Sequence, residues 1–478
     1  MIEFLRAPAA IVLVFGLVIF VHEFGHFLAA KMMGVYAPRF SIGFGPALWS
    51  RKWGETEYML AVFPLGGYVR MASRDDETMA FIEGGNETPT DAPPARRGRY
   101  WSETGMAPFG PRPVPADRWF ESKSLPARLF ILVAGVTMNF VLGYAIYTGI
   151  TLAVGAAVLD TRLVGRVTPP AGAPQLAMIA PGDTVEAIGS IRIANWDDFQ
   201  FAIDTLPGDS LTIRTNRAAV TVPVGAPRSA TRRALNLAFS PDYPAVLAGV
   251  KPGDPAQRGG LREGDSIVAI DGAPVRTWQG MRDHIEPASG RELHFTVARG
   301  GKTVEAVVHA ESLKVQDPTT KQTRTTGWIG VTSRQPIAHE PMRFGAAFAQ
   351  GARLTWFAAG AVVESVRLLL TGGASVKELG GPVAIGDAAA QAARAGWETL
   401  LSLLAFISIN VAVFNLLPVP VLDGGQIMIV IAERVKGGAL SLRTRENLMR
   451  VGLVLVLLLL IVVMYNDISA RIRGAGGP

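Results

Sequence analysis

Cysteine is absent from the 478 residues. That absence excludes disulfides, thiolate metal sites and cysteine nucleophiles, and leaves histidine and carboxylate as the side chains able to hold a metal. Histidine itself is scarce, at 6. Charge is thin: 18% of residues are charged and 49% hydrophobic, and a mean hydropathy of +0.28 is too high for an ordinary soluble enzyme of this length. A basic stripe with interleaved aromatics is missing as well. The longest arginine cluster is Arg96-Arg97-Gly98-Arg99, so the formal charge of +6 does not point to nucleic acid. What the chain does have is glycine (52) and proline (32), which predict many turns and breaks.

An apolar helix of about 20 residues crosses a bilayer core, so long uncharged runs are the informative objects. Four occur. Ala7 to Ala30 is interrupted only by His22, Glu23 and His26, and Leu129 to Leu159 carries no charge. A third run starts near Thr399 and carries Asn410, Asn415 and Asp423 before Glu433; the fourth, Val451 to Asn466, is short and needs Arg450 to snorkel or the bilayer to thin. The reading is a polytopic α-helical membrane protein with spans at 1–33, 128–159, 399–432 and 447–467. Arg434, Lys436, Arg443, Arg445 and Arg450 crowd the last short link and mark that side as cytoplasmic. The loop 34–127 then lies on the cytoplasmic side, and 160–398 and both termini lie outside, in a bacterium the periplasm. A cleaved signal peptide is the competing reading of the first run, which overshoots an h-region and carries ionisable residues.

The outer segment holds a duplication. Gly182-Asp183-Thr184-Val185-Glu186-Ala187-Ile188 aligns with Gly264-Asp265-Ser266-Ile267-Val268-Ala269-Ile270, and Trp196 with Trp278, both at an offset of 82 (265 − 183 and 278 − 196). That period has the size of a small domain, so two tandem α/β modules are expected at 160–240 and 241–333. From 342 to 398, Phe344, Phe348, Leu354, Phe357, Val362 and Leu369 alternate with Arg353, Glu364 and Arg367, which suits amphipathic helices at the outer membrane face; a buried soluble helix is the alternative. About 75–117 is rich in proline, glycine and charge and reads as a disordered insert.

Chemistry concentrates in His22-Glu23-Phe24-Gly25-His26. Histidines at i and i+4 share one helical face and can bind one metal ion, while the glutamate between them reaches the attacking water. Ionisable side chains within a span are functional by default, because each needs a partner, a metal or water. A catalytic zinc site usually has three protein ligands, and the third here should be an intramembrane carboxylate. Asp423 is the candidate, since the two spans run in the same direction and place it at the level of His22 and His26. His284, His294, His309 and His339 lack ligand spacing.

With these residues assembled, the chain resembles the site-2 protease family, and within it the bacterial regulator-of-sigma-E protease branch with two PDZ domains. The resemblance rests on the H-E-x-x-H run, on Asn415-Leu416-Leu417-Pro418-Val419-Pro420-Val421-Leu422-Asp423-Gly424, on Phe40-Ser41-Ile42-Gly43-Phe44-Gly45-Pro46, on Pro64-Leu65-Gly66-Gly67-Tyr68-Val69 and on Gly380-Gly381-Pro382. It implies zinc on His22, His26 and Asp423, Glu23 as general base, and Asn415 as a polar contact to the substrate backbone. The modules look like circularly permuted PDZ domains, the second through Gly260-Leu261-Arg262-Glu263-Gly264-Asp265 and Ile270-Asp271-Gly272, with Gly327-Trp328-Ile329-Gly330-Val331 as a peptide-binding loop or a plain strand. The segment at about 56–72 looks like the family's membrane-reentrant β-hairpin, turning at Pro64-Leu65-Gly66-Gly67, with Gly66 and Gly67 at the substrate. Glycine 135 lacks the proline that usually follows it, while Asn139 remains, which implies altered packing.

The function these features imply is intramembrane cleavage of membrane-tethered substrates of the anti-sigma-factor type, or of remnant signal peptides, after prior trimming, with substrate ends or peptides meeting the PDZ pair. Two other classes compete. A catalytically idle membrane sensor should have lost at least one of His22, Glu23, His26 and Asp423, and a transporter should show paired broken helices in inverted repeats.

Overall fold

The computed structural model describes residues 2–72, 115–227, 229–251, 253–316, 323–371 and 380–475. Apart from 115–117, the insert expected at about 75–117 lies outside the described residues. The chain forms two compact units, one from Met1–Gly155 and Pro341–Ala470, the other chiefly from Ala156–Glu340.

In the first unit α1 is Ile2–Met32, β1 Arg39–Trp53, β2 Thr56–Arg70 and α2 Leu125–Val154. After the second unit's residues come α3 (Phe344–Leu370), α4 (Pro382–Ala395), α5 (Trp397–Asn415), α6 (Asp423–Lys436) and α7 (Leu442–Ala475). Four segments among the described residues are long and apolar enough to cross a membrane: Val14–Met32, Leu125–Val154, Trp397–Asn415 and Arg443–Ser469. The last is longer than the Val451 to Asn466 run, because the helix continues through its charged flanks.

α2 packs against α1, α3, α5 and α6. Small residues let the helices close: a Cβ on Gly25 would fall 2.5 Å from the Ala134 carbonyl oxygen, and one on Gly143 2.8 Å from Ile409. The expected interfacial helix corresponds to α3, but its small-residue stripe packs along the spans. Gly351 abuts Thr148, and Ala358 and Val362 pack with Ile409 and Val413 of α5 and with Phe140 and Tyr147 of α2. Trp356, Phe357 and Val363 are left exposed. Gly380-Gly381-Pro382 opens α4, whose free amides at Gly381, Val383 and Ala384 donate to the Asp467 carboxylate of α7 at 2.8, 3.0 and 3.2 Å.

Two expectations are corrected. The third span, expected as one helix over 399–432, is broken: α5 stops at Asn415, and α6 starts at Asp423. Pro418 and Pro420 cannot donate helical hydrogen bonds, and the Gln426 amide donates to the Pro420 carbonyl at 2.6 Å to hold the bend. Gly424 and Gly425 permit the tight return, since a Cβ on either would fall 2.3 or 2.1 Å from the Leu416 or Val419 carbonyl oxygen.

The segment at about 56–72 is not a hairpin closed on itself. Glu57–Leu60 and Gly67–Arg70 both pair with Arg39–Ile42, the former with residue numbers rising together and the latter in opposite sense, so the first part of β1 lies between them, while its last part, Trp49–Trp53, pairs antiparallel with Thr56–Leu60 on the other side. A buried Arg39–Glu57 ion pair at 3.1 Å fixes one of these ladders. The chain reverses at Gly54-Glu55, where Gly54 has φ of 61°. Arg118 and Lys31 clasp Glu55 at 2.7 Å each. Arg118 chiefly holds the Glu55 carboxyl down to about 2, so the clasp stays ionised and ties this turn to the end of α1.

The second unit repeats one design. Val185–Ile188, Ile191–Arg192, the helix Trp196–Thr205, Ser210–Thr215 and Ala219–Pro223 reappear as Ser266–Ile270, Ala273–Pro274, the helix Trp278–Ile285, Glu292–Arg299 and Lys302–His309, each set forming a four-stranded sheet of the same order. Asn195 and Thr277 cap equivalent helices by accepting from the Asp198 and Gly280 amides. The copies differ after their last sheet strands. The first carries the helix Ala230–Ala238, where fully buried Arg232 donates to the carbonyls of Ile203, Gly208 and Gly225, and the second has the strand pair Glu311–Gln316 and Thr323–Trp328.

Candidate metal centre

Helical spacing puts His22 and His26 on the face of α1 that meets α2. The break after Asn415 delivers Asp423 to them as the first residue of α6, where the helix N-terminus favours a carboxylate. Asp423 Oδ2 lies 3.2 Å from His22 Nε2 and 3.3 Å from His26 Nε2, and the two nitrogens are 3.2 Å apart. This trio is the group among the described residues whose ligand atoms converge as a metal site requires.

Their outer nitrogens are held from behind. His26 Nδ1–H donates to the Ile131 carbonyl at 2.9 Å, which leaves the Nε2 lone pair free for a metal. The Asn139 amide lies 3.3 Å from His22 Nδ1, and its Oδ1 is buried without a partner. Turning that oxygen to the ring lets Nδ1–H donate and sets the same tautomer on His22. Gly135 supplies the space: a Cβ there would fall 2.3 Å from His26 Nε2.

A buried polar atom normally has a hydrogen-bond partner, yet Asp423 Oδ2 has none. Two neutral imidazole nitrogens and a carboxylate oxygen turned toward one point suit a divalent cation of zinc's type, and leave a fourth position open.

Glu23, between the histidines, accepts from the Val69 amide. Gly67 lies against it, and a Cβ at that position would fall 3.2 Å from Glu23 Cγ. Gly66 is pressed against the Phe44 ring, and Asn415 closes α5 at the break. The sequence-predicted residues thus divide. His22, His26 and Asp423 converge, Glu23 and Gly67 adjoin them, and Gly66 and Asn415 sit on the elements that border the site. The roles of Ile131, Asn139 and Gly135 were not legible, apart from the missing proline beside Gly135.

The profile of Peptidase family M50 matches residues 10–459. The chain belongs to this family. M50 membership makes it a metalloendopeptidase of the site-2 type, and the likeness to curated M50 relatives spans nearly its whole length. The regulator of sigma-E protease RseP of Salmonella typhimurium is 30% identical over 98% of this chain and 100% of that protein. The Escherichia coli K12 protein of the same name is also 30% identical, over 98% and 100%. Zinc metalloprotease RasP of Geobacillus kaustophilus is 29% identical over 98% and 99%.

Proposed function

We propose that the chain is a zinc-dependent intramembrane endopeptidase in which His22, His26 and Asp423 hold the metal and Glu23 moves the protons. The supporting observation is the partnerless Asp423 Oδ2 between two Nε2 atoms whose rings are oriented from behind. Bound there, zinc supplies a Lewis acid for the scissile carbonyl and lowers the pKa of water. Glu23, held by the Val69 amide, takes the proton from the attacking water and returns it to the leaving nitrogen.

A transmembrane helix hides its carbonyls in its own hydrogen bonds, so the substrate is held extended. Gly67–Arg70 is an edge strand beside Glu23, and a substrate strand adds to it where Gly66 and Gly67 present little side chain. Asn415, at the broken end of α5, gives its amide to the substrate backbone.

The substrates in this reading are single-span proteins of the anti-sigma-factor type, or remnant signal peptides, already shortened by another protease; relatives named regulators of sigma-E protease support that class. The protein lies in the bacterial inner membrane with the repeated modules and both termini periplasmic, supported by the arginine-rich link before α7. The modules act as PDZ domains that meet peptides or trimmed substrate ends. The test is cleavage of a tagged single-span substrate without its outer domain, in cells carrying the wild-type chain or Glu23→Gln. Loss of about 100-fold or more in the variant is expected; equal cleavage by both overturns the assignment.

A further inference from the structure

The metal ligands come from two helices that meet through a third. α1 carries both histidines and α6 carries Asp423, and each packs against α2. The depth and rotation of α6 on α2 therefore decide whether Oδ2 reaches the imidazoles. At its near end α6 is wedged by Gly424 and Gly425 against the Leu416–Pro420 backbone. Its far end is held differently. Glu433, ten residues or about 15 Å along the axis from Asp423, is 5% exposed, an unusual place for a carboxylate. Its Oε1 accepts from the Leu440 amide and from Arg445 Nε, each at 3.0 Å, and Arg445 Nη2 adds a second bond. Its Oε2 lies 3.6 Å from Arg128 Nη1, on the first turn of α2. One carboxylate so joins the end of α6, the α6–α7 link, the start of α7 and the base of α2.

We infer that Glu433 is a positioning residue for the metal ligand Asp423, with Arg128 and Arg445 as its anchors. This rests on the metal-site reading above. A helix fixed at both ends can neither slide nor turn on α2, and a metal site tolerates only a few tenths of an ångström in ligand position. Burying an ionised carboxylate is costly unless it is paired, and here its partners sit on the elements whose alignment the ligand needs. A neutral glutamine keeps the shape but loses the charge-assisted bonds to Arg445 and the ion-pair attraction to Arg128.

The experiment measures zinc affinity by chelator competition on the purified full-length chain in detergent, and separately its metal-free thermal unfolding. Glu433→Gln should weaken zinc binding about 10- to 100-fold, the range seen when residues supporting a metal ligand are lost. Adding it to Asp423→Asn should weaken binding no further, because the ligand it positions is gone. Arg128→Met removes only the link to α2, leaves Glu433 bonded to Arg445 and Leu440, and should weaken zinc binding about 10-fold. It serves where Glu433→Gln does not fold. Wild-type affinity in both variants overturns the inference, as does an equal fall from Glu433→Gln with and without Asp423, which marks a general loss of structure. Zinc failing to bind the wild-type chain would instead overturn the metal-site reading itself.

Discussion

Asp265 and Asp423 are both withdrawn from water, and their surroundings are opposite. Asp265 is fully buried with every bond answered: Arg299 donates to its Oδ1 and Oδ2 at 2.7 Å each, and the Arg262 amide donates at 2.8 Å. The first module repeats this at the same offset, with Asp183 bonded by Arg217 and by the Ala180 amide. Asp423 instead keeps a lone oxygen facing two imidazole nitrogens that are themselves held by their other edges. A carboxylate whose partners are complete holds a turn. One left incomplete beside oriented histidines is built for something that arrives later.

Exchanging the two aspartates for asparagine should separate these roles most sharply. Asp423→Asn should weaken zinc binding and lower cleavage, each by more than the roughly 100-fold that supporting residues cost, with little change in metal-free unfolding. Asp265→Asn should keep its zinc and lower the unfolding transition of its module, followed by tryptophan fluorescence; zinc loss there would erase the contrast. Gly135→Ala tests the space behind His26. Because its Cβ would strike Nε2, zinc affinity should fall by about 10-fold or more, while Gly149→Ala on the same helix, with nothing within 4 Å, should leave it unchanged.

Smaller effects should grade the repeated pair. Asp183 and Asp265 are equally buried, but Arg299 grips its carboxylate with two bonds and Arg217, with 57% of its side chain exposed, with one, so Arg299→Ala should cost about 3 kcal/mol and Arg217→Ala about 1 kcal/mol. Denaturant titration of the full chain reads both. Burial opposes ionisation of Asp265, but Arg299 overrides it and holds the carboxyl below its ordinary value. Its contribution is therefore complete above the ordinary carboxylate range and fades as pH falls below about 4. A module that gained stability on acidification in that window would contradict the assignment.

Much of this was legible in the sequence, for identifiable reasons. H-E-x-x-H is contiguous, so its geometry follows from the helix alone. The duplication shows because both copies keep their spacing, and it extends to Arg217 and Arg299, which carry no motif and gained meaning only beside Asp183 and Asp265. Asp423 could be placed by depth, but the apolar run from Ile427 to Ala432 argues for one continuous helix and outweighs, in the sequence, the helix terminus that Pro418 and Pro420 signal. The contacts of Ile131 and Asn139 with the histidines link residues more than a hundred positions apart. No local pattern reveals them. The same holds for Arg39–Ile42 lying between the two arms of β2, since strand partners depend on a non-local choice of register.

The most direct measurement is zinc X-ray absorption on the purified full-length chain. Expected are two imidazole nitrogens at about 2.0–2.1 Å and carboxylate or water oxygens at about 2.0–2.2 Å, with the imidazole signal lost in a His22→Ala, His26→Ala double variant. A site with more than two imidazoles, or one unchanged in that variant, would place the metal elsewhere and contradict the centre at His22, His26 and Asp423.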